Sequence, residues 1–220
     1  MNKLNQKLLQ FELEQNFTYD DFFVSKCNYF AFNLIESWPR WEKNILNIHG
    51  EKFSGKSHLS EIFKKKNKAI IIKNHEINDD FFKKIRFHEN IILDNLDYVS
   101  NENILYSIFN FSEQYNKYLI INSNKPINEI DFSLPDLKSR LKNCIYAKID
   151  KPDDDMIFAL VLKHFSDRQI KIEKKIIEYI TKRIERSYGK ILDFIYKVDQ
   201  FSLVNKKPID YKTIKKILGD

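Results

Sequence analysis

"GEKFSGKSHL", residues 50–59, is the stretch that decides the fold of this 220-residue chain. It matches the pattern G-x-x-x-x-G-K-[ST], with Gly50, Gly55, Lys56 and Ser57 at the fixed positions. In this pattern, backbone N–H groups of the loop and of the following helix hold phosphate oxygens. The lysine reaches the terminal phosphates, and the serine hydroxyl ligates Mg²⁺. The stretch therefore predicts a site for the phosphates of a nucleotide.

The residues around this loop have the order that the motif needs. "NILNIHG" at 44–50 is typical of a short apolar strand, and "KSHLSEIFKKK" at 56–66 is typical of a helix. A strand, the loop and a helix in this order make a chance match in an unrelated loop the weaker interpretation. Glycine is scarce, with 4 in the chain. Each glycine is therefore expected to occupy a position whose backbone conformation or close packing requires it.

Further strands and helices alternate along the first two thirds of the chain. The predicted strands are "KAIIIKN" (68–74), "ENIILDNLDYV" (89–99), "KYLIINSNKP" (117–126) and "CIYAKID" (144–150), and helices are predicted at 20–38, 103–116 and 134–143. The first of these helices begins at an N-cap signal in "DDFF" and ends before Pro39. Apolar strands that alternate with helices predict an α/β domain whose mostly parallel sheet is covered on both faces.

The character of the chain changes after "KPDDD" at 151–155. Beyond it the periodicity is helical only, in "DMIFALVLKHFSDR", "EKKIIEYITKRI", "GKILDFIYKVDQFSLV" and "DYKTIKKILGD". The pattern predicts three parts: a polar tail at 1–16, a nucleotide-binding core at 17–151 and a small all-α domain at 152–220.

Composition and charge narrow the class of protein. Hydrophobic residues make up 43% and aromatic residues 14%, so the chain can bury a core. The net charge of +6 fits nucleic acid or an acidic partner, but an A/T-rich genome that encodes many dispersed lysines explains it as well. Cys27 and Cys144 have neither pairing nor metal-ligand spacing. With no signal peptide and no long apolar run, the expected location is the cytoplasm.

"IILDNLD" at 91–97 predicts the second half of the nucleotide site. Asp94 ends a buried strand and is expected to hold Mg²⁺ through water. Many ATPases have an acid at the next position, where this chain has Asn95, and a neutral amide cannot act as a general base. Asp97 is near but is expected only to cap a turn. The site is therefore predicted to bind a nucleotide and to hydrolyse it poorly by itself.

A polar cluster follows the strand "YLIINSNKP". Asn124 or Ser123 is placed to contact the γ-phosphate or the attacking water, because the carboxyl ends of parallel strands lie at one edge. An ordinary turn before Pro126 has the same composition, so the residues leave both interpretations open.

Two further stretches carry weaker signals. In "LPDLKSRLKN", Arg140 could stabilise phosphate charge on a neighbouring subunit, although a surface arginine on an exposed helix is the simpler interpretation of the residues alone. In "NQKLLQF", an N-terminal motif has the anchors of a peptide that docks in a partner's hydrophobic pocket. These anchors are Gln6, Leu8, Leu9 and Phe11.

Taken in order, "GEKFSGKSHL", "IILDNLD", "YLIINSNKP" and "LPDLKSRL" resemble the AAA+ module of the bacterial replication initiator DnaA. Within this family the chain is most similar to the DnaA-homologous regulators of the Hda type, above all to those with "DFFVSKCNYFAFNLIESWPRW" before the phosphate loop. The resemblance runs from about residue 5 to the end. It implies a P-loop AAA+ domain with a five-stranded parallel sheet flanked by helices, and a small all-α lid domain.

The resemblance also implies a function. Regulators of this type bind ADP or ATP with Mg²⁺, dock on the DNA-loaded sliding clamp of DNA polymerase III, and make DnaA hydrolyse its ATP, which inhibits re-initiation. The N-terminal motif would then bind the clamp, and Arg140 would be a catalytic finger offered in trans. DNA is expected to be contacted only indirectly or non-specifically, since the chain ends after the lid. Self-association into a homo-oligomer stays open.

Residue by residue, the resemblance implies two sets of site residues besides Arg140. The nucleotide contacts are Gly50, Ser54, Gly55, Lys56, Ser57, His58, Val24, Asn28 and Gly189, with Ser57 and Asp94 as Mg²⁺ ligands. Asn95 and Asn124 would contribute to catalysis.

Two positions depart from the family pattern. Lys7 stands where the clamp motif often has leucine, which would weaken docking. Gly189 stands where a second sensor arginine is often found, and Lys190 or Arg186 would have to substitute for it. Like Asn95, this departure points away from an autonomous ATPase.

Two other classes of protein share parts of this pattern. A DnaA-related helicase loader or origin-associated ATPase would have the same core but an N-terminal extension that binds helicase. A small-molecule kinase or NTPase would need a catalytic base in the core and a substrate lid. The short N-terminal motif favours the regulator over the first class, and Asn95 with the all-α C-terminal third argues against the second.

Overall fold

The computed structural model describes residues 17–73, 81–96, 101–205 and 209–219. Its sheet consists of β1 (Ile45–Gly50), β2 (Ile70–Lys73), β3 (Asn90–Asp94), β4 (Tyr118–Ser123) and β5 (Ile145–Ile149). The strand order is β2-β3-β4-β1-β5, and every pairing is parallel. The predicted α/β class with a five-stranded parallel sheet is confirmed.

Helices flank the sheet and then continue without further strands. The first group is α1 (Tyr29–Ser37), α2 (Lys56–Asn67), α3 (Phe81–Ile85), α4 (Glu102–Gln114) and α5 (Pro135–Leu141). The second group, called the lid below, is α6 (Asp154–Asp167), α7 (Lys174–Arg183), α8 (Tyr188–Asn205) and α9 (Tyr211–Leu218). The sequence did not predict α3, which is short. Within the described ranges no helix has the length and apolar character needed to cross a membrane.

The strands bury both of their faces, which explains their unbroken apolar runs. Successive side chains of a strand point to opposite faces. One face packs against α4 and α5 and includes Ile45, Ile91, Leu93, Leu119, Ile121, Leu105, Phe109 and Leu137. The other packs against α1 and α2 and includes Leu46, Ile48, Ile92, Ile120, Ala31, Ile35, Leu59 and Phe63. The two layers fix the ends of the strands, where the polar residues lie.

The lid has a hydrophobic cluster of its own. Its fully buried members include Ile157, Val161, Phe165, Ile180, Ile191 and Val198. β5 ends at Ile149 and α6 begins at Asp154, so the predicted boundary at 151–152 falls between two elements. The side chain of Asp153 caps α6 by accepting a hydrogen bond from the backbone N–H of Met156 at 2.8 Å.

The helix predicted over 20–38 is wrong in its first half, since α1 begins only at Tyr29. The side chain of Asn28 explains the late start. Its Nδ2 donates to the carbonyl of Phe23 at 2.9 Å, and its Oδ1 accepts from the backbone N–H of Ser25 at 2.9 Å. The carbonyl of Cys27 accepts from the N–H of Asp150 at 2.9 Å. These bonds hold the segment in turns instead of a helix.

Candidate nucleotide site

The phosphate loop is a tight connection between β1 and α2. At Gly50 an added Cβ would stand 2.7 Å from the carbonyl oxygen of Ile149, so no side chain fits there. Gly55 has φ +95, in the left-handed region that glycine adopts at no steric cost. The two glycines therefore allow a narrow loop at the carboxyl edge of the sheet.

Lys56 brings a positive charge into this loop. Its side chain is buried, with 6% of the residue exposed. Its Nζ donates to the carbonyl of Gly50 at 2.7 Å, to that of Glu51 at 2.9 Å and to Asn124 Oδ1 at 3.3 Å. These acceptors hold the ammonium group inside the loop, where the oxygens of a phosphate would compete for its three protons.

Ser57 and Asp94 meet at the predicted Mg²⁺ position. The Ser57 hydroxyl donates to the two carboxylate oxygens of Asp94 at 3.2 and 3.0 Å, although the residues are 37 positions apart. A hydroxyl and a carboxylate are oxygen ligands of the kind that Mg²⁺ takes together with phosphate oxygens. Within the described ranges no group of three or more His, Cys, Asp or Glu side chains could hold a metal.

Asn122 is a site residue that the sequence analysis missed. It is fully buried in β4, and its Nδ2 donates to Asp94 Oδ1 at 2.8 Å and to Ser60 Oγ at 2.7 Å. The contact orients the carboxylate toward Ser57. An amide inside the apolar run "YLIINS" is the signal that could have revealed it, because a buried polar side chain needs a partner.

The asparagines that follow β3 and β4 lie at the same edge of the sheet. Asn95 is exposed and has φ +60, a conformation that asparagine tolerates better than most residues. Asn124 contacts Lys56, whereas the hydroxyl of Ser123 donates to the carbonyl of Lys125 at 2.6 Å and is occupied there. Asn124 and Ser123 are the two candidates for contact with the γ-phosphate or the attacking water, and the position of Asn124 beside Lys56 favours Asn124. Asp97 lies outside the described residues.

The loop fits a phosphate group. Ser54 Oγ is buried and has no hydrogen-bond partner. A Cβ at Gly50 would stand only 3.1 Å from this hydroxyl, so the glycine keeps a side chain away from it. A phosphate oxygen is the acceptor that such a hydroxyl needs. The loop thus brings together the Lys56 cation, the Ser54 hydroxyl and the backbone around two glycines, which are groups that can bind a phosphate.

Residues before α1 pack against the first turn of α2, next to the phosphate loop. His58 bonds through Nε2 to the carbonyl of Thr18 at 2.7 Å, and since a carbonyl only accepts, Nε2 carries the proton. Its ring lies 5.0 Å from that of Phe17 and 5.1 Å from that of Phe22. Burial lowers the pKa of His58, which keeps the ring neutral at pH 7. His58 therefore holds this segment against α2.

The predicted adenine contacts belong to the same segment. Val24 is half-buried, and Asn28 is buried with its amide engaged by Phe23 and Ser25. Asn28 thus shapes the loop that carries Val24. Their contact with adenine stays a prediction.

Arg140 lies at the opposite edge of the sheet. α5 connects the carboxyl end of β4 to the amino end of β5, so its last turn lies near the amino edge. The strand length separates it from the phosphate loop by about 16 Å, at about 3.3 Å per residue. Its guanidinium donates to Glu113 on α4 and lies 5.5 Å from the ring of Tyr106. Partial burial acts to lower the pKa of Arg140, but the bond to Glu113 outweighs this and the pKa is raised.

The start of α8 carries the predicted Gly189 position. A Cβ at Gly189 would have only an ordinary contact, 3.8 Å from Ser187 Oγ, so the close packing found at Gly50 is not the reason for this glycine. Arg186, a predicted substitute for a sensor arginine, instead pairs with Asp154 on α6 at 2.6 Å. Lys190, the other substitute, is exposed. The clamp motif, at Gln6, Leu8, Leu9 and Phe11, and Lys7 within it lie outside the described residues.

The strand order, the phosphate-loop motif after β1 and the polar ends of β3 and β4 belong to an α/β fold with a five-stranded parallel sheet, which a helical region follows. Comparison with curated proteins finds similarity to the chromosomal replication initiator protein DnaA of several bacteria. The chain is 24% identical over 236 aligned residues to DnaA of Caldanaerobacter subterraneus subsp. tengcongensis, which covers 94% of this chain and 53% of that protein. It is 21% identical to DnaA of Cutibacterium acnes, over 94% of this chain and 47% of that protein.

Solved structures give the same fold. Domain III of Thermotoga maritima DnaA superposes with a TM-score of 0.76 at 16% identity, over 94% of this chain and 98% of that chain. DnaA bound to AMPPCP and single-stranded DNA gives a TM-score of 0.70 at 17% identity, over 89% and 69% of the two chains. The Thermotoga maritima RuvB motor gives 0.62 at 16% identity, over 80% and 61%.

The chain is therefore similar in sequence to DnaA over 94% of its length and has the fold of DnaA domain III. It spans about half the length of the curated relatives that it matches. A scan against protein-family models gives no match.

Proposed function

We propose that this protein is an AAA+ adenine-nucleotide-binding regulator of replication initiation that, docked on the DNA-loaded sliding clamp, stimulates ATP hydrolysis by DnaA. The observation that carries the proposal is the separation of two functional groups on one sheet. Lys56, Ser57 and Asp94 lie together at the carboxyl edge, and Arg140 lies at the amino edge. One group holds a nucleotide, and the other is presented to a different molecule.

The carboxyl edge would hold ADP or ATP. The backbone of the phosphate loop, the ammonium of Lys56 and the hydroxyl of Ser54 would bind phosphate oxygens. Ser57 and Asp94 would hold Mg²⁺, which neutralises phosphate charge when it is bound. The presence of AMPPCP in a DnaA of the same fold supports an adenine nucleotide as the ligand.

The same edge is poorly equipped for hydrolysis. Asn95 follows Asp94 at the position where many ATPases have an acid, and an amide cannot take a proton from water. Gly189 has no side chain, so this position of the lid supplies no cation to the site. Binding without turnover suits a nucleotide that stabilises the arrangement of the core and the lid.

The amino edge would supply the catalytic group. A guanidinium directed at the phosphates of a partner stabilises the charge that develops during transfer. Arg140 cannot reach its own phosphate loop across the length of the sheet, but its side chain is 30% exposed and its orientation is held by Glu113 and Tyr106. It therefore meets the two requirements of a finger offered in trans, which are exposure and a fixed orientation.

The proposal is tested by ATP turnover of the cognate DnaA on clamp-loaded DNA, with and without this protein. We expect stimulation that disappears when the clamp is omitted, and Arg140→Ala should abolish it with nucleotide affinity unchanged. An arginine of this kind contributes about 10³- to 10⁵-fold to the rate. Lys138→Ala is the matched control, since Lys138 is an exposed cation on the same helix that pairs with Asp131.

Two results would contradict the proposal. Full stimulation by the Arg140→Ala variant would remove this residue from catalysis. Absence of stimulation by the unaltered protein, with the clamp shown to be loaded, would favour a DnaA-related helicase loader or origin-associated ATPase and make the replicative helicase the partner to test.

A further inference from the structure

Glu51, the second residue of the phosphate loop, connects the loop to the lid. Its carboxylate accepts hydrogen bonds from the hydroxyl of Ser187 and from the backbone N–H of Tyr188, the latter at 3.3 Å. Both donors lie at the start of α8, 136 and 137 positions along the chain. A carboxylate is favoured at this end of a helix, because the unpaired N–H groups there carry partial positive charge.

The same residue also contacts the phosphate-binding lysine. The main-chain carbonyl of Glu51 accepts from Lys56 Nζ at 2.9 Å. One residue is thus bonded through its backbone to the group that would hold phosphate, and through its side chain to the lid. The two contacts therefore meet at one Cα atom.

The start of α8 packs against the core, so the Glu51 carboxylate contacts a part of the helix that is itself held in place. Tyr188 is 2% exposed and packs in the core layer that contains α1 and α2. Burial raises the pKa of Tyr188, so its hydroxyl keeps its proton and donates to the carbonyl of Asp150 at 3.3 Å. The hydroxyl also lies 3.3 Å from Cys27 Sγ.

We propose that Glu51 is a positioning residue that couples the phosphate loop to the first turn of α8, through a carboxylate on the loop instead of an arginine at position 189. The coupling has an electrostatic reason. A carboxylate in a phosphate loop repels a bound phosphate unless its charge is compensated, and here two hydrogen-bond donors and the helix terminus compensate it. The proposal rests on nucleotide binding by the loop, the first step of the proposed function.

A double-mutant cycle with ADP as the probe tests this coupling. Ser187→Ala removes one donor, so the Glu51 charge is less well compensated and ADP should bind about 3- to 10-fold more weakly, which is the range for a typical intramolecular hydrogen bond. In the Glu51→Ala background, the same serine substitution should have no effect. Ser202→Ala is the matched control, because Ser202 is a serine of the same helix far from its first turn.

A second measurement does not depend on nucleotide. Hydrogen exchange of the Tyr188 amide should become faster in Glu51→Ala, because that amide loses its acceptor. Glu51→Gln keeps an acceptor without the charge and should keep exchange close to that of the unaltered protein. It also replaces the alanine variant in the cycle if that variant does not fold.

The outcomes separate this inference from the proposed function. The coupling alone would be overturned if the unaltered protein binds ADP but Ser187→Ala changes ADP affinity equally with Glu51 and in the Glu51→Ala background. The same holds if Ser187→Ala changes ADP affinity in neither background. Failure of the unaltered protein to bind ADP would overturn both. A serine effect that is present only with Glu51, together with faster exchange in Glu51→Ala, is the expected result.

Discussion

The two edges of the sheet differ in how they hold their charged groups. At the carboxyl edge, Lys56 is 6% exposed and is surrounded by backbone carbonyls of its own loop. At the amino edge, the Arg140 side chain is 30% exposed and is held from one side by Glu113 and Tyr106. Under the proposed function, the buried cation would bind a nucleotide inside this protein, and the exposed, oriented cation would act on a nucleotide bound by another molecule. The difference indicates that nucleotide binding and charge donation can be separated by mutation.

The largest effect is expected for Lys56→Ala. This variant loses the loop cation, so ADP and ATP should bind at least about 100-fold more weakly, as measured by fluorescence titration with a labelled nucleotide. The pair of Arg140 and Glu113 should persist, because it lies at the other edge. Lys52→Ala is the control, since Lys52 is an exposed lysine of the same loop that lies over the ring of Phe53. Unchanged affinity in Lys56→Ala would show that the loop is not a phosphate site.

Asn95→Asp places an acid beside Asp94 and should increase intrinsic ATP hydrolysis, by about 100-fold in steady-state turnover. Aspartate tolerates the left-handed backbone that Asn95 adopts, so the fold should be kept. Asn95→Gly, which also tolerates that backbone but has no carboxylate, is the control. If Asn95→Asp shows no gain, the missing base does not limit turnover, and Gly189→Arg becomes the variant to measure.

Glu113→Gln acts on the amino edge alone. Arg140 loses its ionic partner and with it part of its fixed orientation, so stimulation of DnaA should fall by about 3- to 10-fold, while nucleotide affinity stays the same. The comparison variant is Glu61→Gln, which removes an exposed ion pair with Lys64 on α2. A loss of nucleotide affinity in Glu113→Gln would contradict the independence of the two edges.

The smallest effect is a dependence of stability on pH. Burial lowers the pKa of His49, His58 and His164 below the ordinary value of 6.5. As the pH falls through 6.5, the unfolded chain takes up protons that the folded chain does not, so the free energy of unfolding decreases. Thermal melts should therefore show a lower Tm at pH 5.5 than at pH 7.5.

His58→Gln should reduce this dependence, because it removes one of the three histidines from the folded and unfolded states alike. His88→Gln is the control, since His88 bonds the carbonyl of Lys84 at the surface, away from the phosphate loop. A Tm that is constant between these pH values would contradict the expectation.

Much of the fold could be predicted because its signals are local. Apolar runs such as the one in β4 revealed the strands, and the motif around Lys56 placed a loop and a helix after β1. The start of α1 was not predicted, because the Asn28 side chain bonds Phe23 and Ser25 and the carbonyl of Cys27 accepts from Asp150, just after β5; helical periodicity reveals neither contact. The short helix α3 has too few residues for a clear period.

The sequence by itself determined the phosphate loop, Ser57, Asp94 and the neutral Asn95 after it, because each lies in a short pattern that can be recognised without knowledge of distant contacts. Only the tertiary structure decided which groups these residues meet. The amide of Asn122 on Asp94, the contact of Glu51 with α8 and the position of Arg140 beside Glu113 join residues 27 to 137 positions apart. Such contacts depend on the order of the strands and the packing of helices on them, which no local pattern specifies.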